Sequence, residues 1–128
     1  MNGTKLKPIE LSNYTISDED APFIVAELSG NHNNSIDVAL RLVEEASKAG
    51  ADAFKLQTYT ADTITLNCDT EDFQIRGGLW DGQSLYELYQ QAHMPWDWHK
   101  PLMDHARSLG IDCFSSRFDA TAVDFLEE

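Results

Sequence analysis

Apolar residues first gather at Phe23-Ile24-Val25-Ala26-Glu27-Leu28, a short run closed by Ser29-Gly30-Asn31, which predicts a buried strand ending in a turn. The spacing then changes. Ile36, Ala39, Leu40, Val43 and Ala46 recur at i, i+3, i+4 and i+7, so a helix follows, with Asn34 or Ser35 as N-cap and Gly50 as its stop. Ala53-Phe54-Lys55-Leu56-Gln57-Thr58 reads as a second strand, and residues 23–58 have the length a strand, helix, strand crossover needs, which implies a parallel pair. Periodicity lapses from Tyr59 to Gln83, a stretch long for a plain connection and therefore expected to be functional or disordered. It resumes at Ser84-Leu85-Tyr86-Glu87, a capping box opening a helix with Leu85, Leu88, Tyr89 and Ala92 on one face. Another helix carries Trp98, Leu102, Ala106 and Leu109 up to Gly110, beginning either near Trp96 with a kink or at Pro101 as its first residue. Ile111 to Ser116 is the third strand, and Asp119 can cap a last helix bearing Ala122, Val123, Phe125 and Leu126.

Alternating strands and helices predict an α/β chain whose parallel sheet is either doubly wound or part of a barrel. Residues 1–21 lack clear periodicity and read as a lead-in arm, leaving 22–128 as the folded domain. The chain's 128 residues suit one domain and fall well short of the ~250 of a complete α/β barrel.

Charge narrows the function classes. The 22 acidic against 9 basic side chains give a net charge of −13, which repels phosphate backbones and anionic lipid surfaces, so neither nucleic acid nor membrane is expected as a partner. Apolar stretches are too short for the ~20 residues of a membrane span, and Met1 to Pro8 has no signal-like apolar region. Cys68 and Cys113 have no metal-ligand spacing, so the expected setting is reducing and cytoplasmic.

Parallel α/β folds place chemistry at the C-terminal ends of their strands, and those ends are polar here. The first strand carries Glu27 and leads to Asn31 and His32; the second carries Lys55, Gln57 and Thr58; the third ends in Ser115, Ser116 and Arg117. Period-two alternation assigns Phe54 and Leu56 to the helix layer and Lys55 and Gln57 to the opposite face, with Ile24, Ala26 and Leu28 opposed to Glu27. A Glu and a Lys inside strands are costly unless paired or functional, so Glu27 and Lys55 read equally as a structural ion pair or as a site. His32 has no partner His at metal spacing and reads as a turn histidine. Ser115 and Ser116 beside Lys55 and Arg117 can serve a phosphate or carboxylate. Trp80, Trp96 and Trp98 read as packing residues, and His93, His99 and His105 as solvated or capping ones.

These strand-end motifs, Phe23 to His32 and Ala49 to Tyr59, together with Phe73 through Gly77-Gly78-Leu79-Trp80-Asp81, Leu85 to Tyr89, Trp98-His99 and Phe114-Ser115-Ser116, resemble the sialic acid synthase family, most closely its pseudaminic acid synthase branch. The resemblance runs from about residue 22 to 128. It implies the N-terminal portion, about three βα units, of a (β/α)8 TIM-type barrel. It further implies condensation of phosphoenolpyruvate with an open-chain amino sugar of the 2,4-diacetamido-2,4,6-trideoxy-altrose type, giving a nine-carbon 2-keto acid and phosphate; N-acetylneuraminate or legionaminate synthesis is the alternative. In that reaction a divalent metal of the Mn, Mg or Co type polarises the aldehyde, C3 of phosphoenolpyruvate attacks it, water adds at C2, and phosphate leaves. By position Lys55 matches the phosphoenolpyruvate lysine, Gln57 and Ser116 match its polar neighbours, Glu27 matches the glutamate that orients the sugar and handles protons, and Asn31 and His32 match the adjoining loop. Thr58, Ser115 and Arg117 complete the expected substrate set. Ser115-Ser116-Arg117-Phe118 stands where the family has Ser-Ser-Pro-Phe or Ser-Thr-Pro-Phe, so the rigid turn is lost and a cation gained. The metal ligands are expected on later strands, with a C-terminal antifreeze-like domain beyond them, and the whole enzyme is expected to be a homodimer.

Two other readings carry weight at this level. Three strands cannot close an eight-stranded barrel, so the chain reads alternatively as an inactive fragment or a small binding module. A Schiff-base aldolase acting through Lys55 is the third, resting on one strand lysine.

Overall fold

The computed structural model describes residues 7–11 and 14–128. Part of the expected arm is ordered as an antiparallel pair, β1 (Ile9–Leu11) with β2 (Tyr14–Ile16), in which Ile9 faces Ile16 and Leu11 faces Tyr14. Positions 1–6, 12 and 13 of that arm lie outside the described residues. Tyr14 meets Phe23 edge to face at 4.9 Å, which ties the pair to the chain entering the next strand.

Strand β3 (Val25–Glu27) is followed by α1 (Ile36–Lys48) and β4 (Ala53–Thr58). Ser35 caps α1 by accepting from the Val38 amide at 3.4 Å, and Gly50 takes φ +84° just past its end, where an L side chain would be strained. The expected long loop after β4 is structured: α2 (Ala61–Ile64), a 3-10 turn at Glu71–Phe73, and an irregular hairpin closed by the Gln74–Ser84 bridge. Its tip is held by the Gly77 amide donating to Asp81 Oδ1 at 2.6 Å and by two backbone bonds between Ile75 and residues 82 and 83. The Ser84 to Glu87 capping box forms in both directions and opens α3 (Leu85–Ala92).

Helix α4 (His99–Ser108) continues a helical stretch that begins at Trp96, the first of the two expected starts. A 3-10 turn at Trp96–Trp98 leads directly into it, and Pro101 falls in the first turn, where its missing N–H has no intrahelical partner to lose. Strand β5 (Asp112–Arg117) and α5 (Ala120–Glu127) complete the chain, with Asp119 accepting from the Thr121 and Ala122 amides.

The sheet order is β3-β4-β5, all parallel. Helices α1 and α4 cover one face, and the core between them and the sheet holds Leu28, Ala39, Val43, Phe54, Leu56, Met94, Leu102, Ala106 and Ile111. Each large side chain removed from water there contributes about 1.5–3 kcal/mol. Ile24 is 50% exposed, just ahead of β3 at the N-terminal edge of the sheet. The opposite face of the sheet carries no helix among the described residues, and Val25, Glu27 and Phe114 are exposed on it.

Candidate active site

Register and alternation together select the residues on the open face. Glu27 pairs with Lys55, Lys55 with Phe114, and Gln57 with Ser116, so these side chains rise from adjacent strands at neighbouring levels on the same side. Lys55 Nζ lies 3.1 Å from Glu27 Oε2, and Gln57 Nε2 donates to Glu27 Oε1 at 2.7 Å. One carboxylate therefore gathers an amine and an amide from the next strand. The Lys55 and Glu27 side chains remain 30% and 41% exposed, so an incoming molecule can reach both. The hydrogen bond from Lys55, then that from Gln57, holds the Glu27 carboxyl below its ordinary range despite some opposing desolvation. At neutral pH it is a carboxylate, a proton acceptor.

The structure redistributes the other expected site residues. Parallel strands bring all of them to one end of the sheet, but alternation divides them between faces. Thr58, Ser115 and Arg117 belong with Leu56 and Cys113 on the helix side, one step out of phase with Gln57 and Ser116. Thr58 is fully buried, its hydroxyl 2.6 Å from both His99 Nε2 and Ser115 Oγ. Arg117 lines a surface cavity of about 410 Å³ with Met103, Val123 and Leu126, so the cation that replaces the family proline is turned away from Lys55. Arg76, in the hairpin after β4, is ion-paired with Glu71 on the surface.

His32 is likewise not presented to a ligand. It is completely buried, edge-on to Trp98 at 5.4 Å, and its Nδ1 accepts the Asn34 amide at 3.1 Å. Burial pushes its pKa down, so the ring is neutral, and Nε2 lies beside the Ala92 carbonyl without a well-formed hydrogen bond. The ring anchors a loop in which Asn33 and Asn34 both take positive φ, a conformation Asn tolerates better than most residues. Asn31 in the same loop is exposed and accepts the Ser29 amide at 3.2 Å through Oδ1.

His99 also differs from the capping or solvated role expected of it: it is only 2% exposed. Its spacing carries the signal, since 99, 102 and 106 share one helical stripe with two residues of the core. Phe125 packs on both His99 and Trp96, and the Trp96 indole donates to the Tyr59 carbonyl at 3.3 Å, so this tryptophan is a packing residue as expected.

A carboxylate, an amine and an amide thus converge at the C-terminal edge of a parallel βα sheet, the edge at which parallel α/β folds carry their functional groups. Residues 42–128 match the NeuB family, and the chain belongs to it: these are the sialic acid synthases. The chain is 54% identical over 105 residues to the pseudaminic acid synthase of Campylobacter jejuni subsp. jejuni serotype O:2, covering 82% of this chain and 31% of that protein. The pseudaminic acid synthase of Helicobacter pylori is 47% identical over 106 residues, with coverage of 83% and 31%. Among solved structures, the N-acetylneuraminic acid synthetase of Leptospira borgpetersenii, in complex with citrate, superposes with a TM-score of 0.75 over 96% of this chain and 38% of that one, at 24% identity, and shares the fold. The chain thus spans about a third of the length of the curated relatives it matches.

Proposed function

We propose that this chain supplies the first three βα units of a pseudaminic acid synthase, in which phosphoenolpyruvate condenses with a 2,4-diacetamido-2,4,6-trideoxy-hexose. The observation that carries the reading is the Glu27, Lys55 and Gln57 cluster on the open face, in a chain about half identical to two such synthases. Residues 22–128 belong to the barrel in this reading, and residues 1–21 are its leading arm.

In this proposal the side chains divide the chemistry. Lys55 Nζ exchanges its contact with Glu27 for the carboxylate or phosphate of phosphoenolpyruvate, while Gln57 and Ser116 donate hydrogen bonds to the same anion. That exchange removes the main influence holding the Glu27 carboxyl low, so substrate binding makes Glu27 a stronger base. As C3 of phosphoenolpyruvate bonds to the sugar aldehyde carbon, the aldehyde oxygen becomes an alkoxide and water adds to C2; Glu27 accepts the water proton, which then neutralises the alkoxide. The C2 to phosphate-oxygen bond breaks as the C2 hydroxyl gives its proton to the departing phosphate, leaving the 2-keto acid. Asn31, exposed in the loop that follows β3, binds the sugar hydroxyls or acetamido groups in this reading. Thr58, Ser115, Arg117 and His32 do not touch substrate in this reading.

The family's divalent cation does not fit on these residues alone. Among the described residues no group of three His, Cys, Asp or Glu side chains could hold a metal, so these residues do not supply its ligand set and no step here is derived through it. No described helix is long and apolar enough to cross a membrane. The proposal makes the enzyme a cytoplasmic homodimer acting on soluble substrates, the dimer being open to test by sedimentation equilibrium.

The test is phosphate release by the intact protein supplied with phosphoenolpyruvate, a divalent cation and the diacetamido trideoxy sugar, with N-acetylmannosamine as comparison. Turnover confined to the first sugar, and abolished by Lys55→Ala and by Glu27→Ala, is the expected result. Undiminished turnover in both variants would overturn the assignments, and a preference for N-acetylmannosamine would move the enzyme to the neuraminate branch.

A further inference from the structure

Behind the open face runs a buried polar chain that substrate contact does not explain. Thr58, 0% exposed, and His99, 2% exposed, sit between the sheet and α4 and are joined at 2.6 Å, and Ser115 is joined to Thr58 at 2.6 Å. Its direction follows from its far end. His99 Nδ1 lies 3.0 Å from the Trp96 carbonyl, which can only accept, so Nδ1 carries the proton. Nε2 then accepts from the Thr58 hydroxyl, whose oxygen accepts from Ser115. Burial lowers the His99 pKa and keeps the ring in this neutral tautomer. Every member has a partner, and the chain ends on a backbone carbonyl.

Packing alone would not select these residues. Val and Ala would fill the places of Thr58 and Ser115 without the desolvation that buried hydroxyls incur. What the chain adds is a diagonal tie between strands. Ser115 is level with Leu56 and Thr58 with Arg117, so the hydroxyl link crosses two residue levels, and Thr58 and Arg117 are the last pair of the ladder. Backbone pairing ends there. Gln57 and Ser116, the neighbours of Thr58 and Ser115 in sequence, project from the opposite face at that unsupported end.

We propose that His99 is a positioning residue that, through the Thr58 and Ser115 hydroxyls, fixes the separation of Gln57 and Ser116 in the substrate pocket. The proposal rests on the reading above that those two side chains face phosphoenolpyruvate. None of the three relay residues is a catalytic residue, because none reaches the open face.

The relay is tested in the intact protein with Thr58→Val, which keeps shape and removes the hydroxyl, against Thr58→Ser, which keeps the hydroxyl. Two readouts separate positioning from simple stability: kcat/KM for phosphoenolpyruvate, and the side-chain amide NMR resonance of Gln57. Thr58→Val is expected to lower kcat/KM by about ten- to a hundredfold, the scale of a misplacement near 1 Å, and to move the Gln57 amide, while Thr58→Ser retains wild-type values in both. Should Thr58→Val fail to fold, Ser115→Ala, which leaves the Thr58 to His99 bond intact, is expected to show the same changes in smaller measure. A lower melting temperature with unchanged kcat/KM and an unmoved Gln57 amide would overturn the proposal. If the wild-type protein releases no phosphate at all, the reading of function falls separately. The Gln57 resonance then decides the relay: movement in Thr58→Val but not Thr58→Ser supports it, and no movement overturns it.

Discussion

A double-mutant cycle on Glu27 and Lys55 separates the two readings that the strand sequence leaves equal, a structural ion pair or a substrate site. The perturbations are Glu27→Gln and Lys55→Met, each removing one charge while keeping side-chain bulk. With the two side chains 41% and 30% exposed, the pair is screened by solvent and its coupling to folding should be about 0.2–1 kcal/mol, against the 3–5 kcal/mol expected when one partner of a fully buried pair is removed. Binding is a different scale. A hydrogen bond from Lys55 to a charged substrate oxygen contributes about 1.5–3 kcal/mol, so Lys55→Met should weaken phosphoenolpyruvate affinity by about 10- to 150-fold. Urea denaturation of the wild type, both single variants and the double variant gives the coupling, and isothermal titration with phosphoenolpyruvate gives the affinity. A coupling above about 3 kcal/mol, or an unchanged affinity in Lys55→Met, would refute the argument, because the ion pair would then serve the fold and not the ligand.

Glu27 should also leave a mark on stability against pH. Its carboxyl is held below the ordinary 4.5 in the folded chain, so its contribution is fully present above that value and is lost as pH falls through the folded pKa; urea melts below pH 5 should show a shallower acid loss in Glu27→Gln than in wild type. Leu56→Ala, at a fully buried position of the central strand, should cost about 2–5 kcal/mol in the same assay. Ser84→Ala removes the hydroxyl end of the capping box on α3 and should cost about 1 kcal/mol. Burial pushes the Cys113 thiol up to about 12, so a thiol reagent at pH 8 should modify Cys68, whose pKa is lowered by its hydrogen bond to Thr70, well before Cys113.

Local patterns made much of the fold legible. The stripe from Ile36 to Ala46, the Ser84 box, Gly50 and the Asp119 cap all act within one or two helical turns, so sequence spacing carries them directly. Residues 59–83 were harder to read, because α2 and the Gln74 to Ser84 hairpin owe their form to turn geometry and a side-chain clasp from Asp81, which have no hydrophobic period. Pro101 left two starts open for α4, because proline is tolerated anywhere in a first turn.

The chain by itself determined that three parallel strands would carry Glu27, Lys55 and Gln57 away from the helix layer, since alternation along each strand is a local consequence of the backbone. Only the tertiary structure decided the phase of β5 against β4. That pairing sets Gln57 opposite Ser116 and turns Ser115 and Arg117 to the side of Leu56 and Thr58, because the face of a β5 residue relative to β4 depends on the register between strands distant in sequence. Tertiary packing likewise buried His99 and His32, whose environments come from Phe125, Trp98 and Ala92, residues that sequence spacing cannot bring to them.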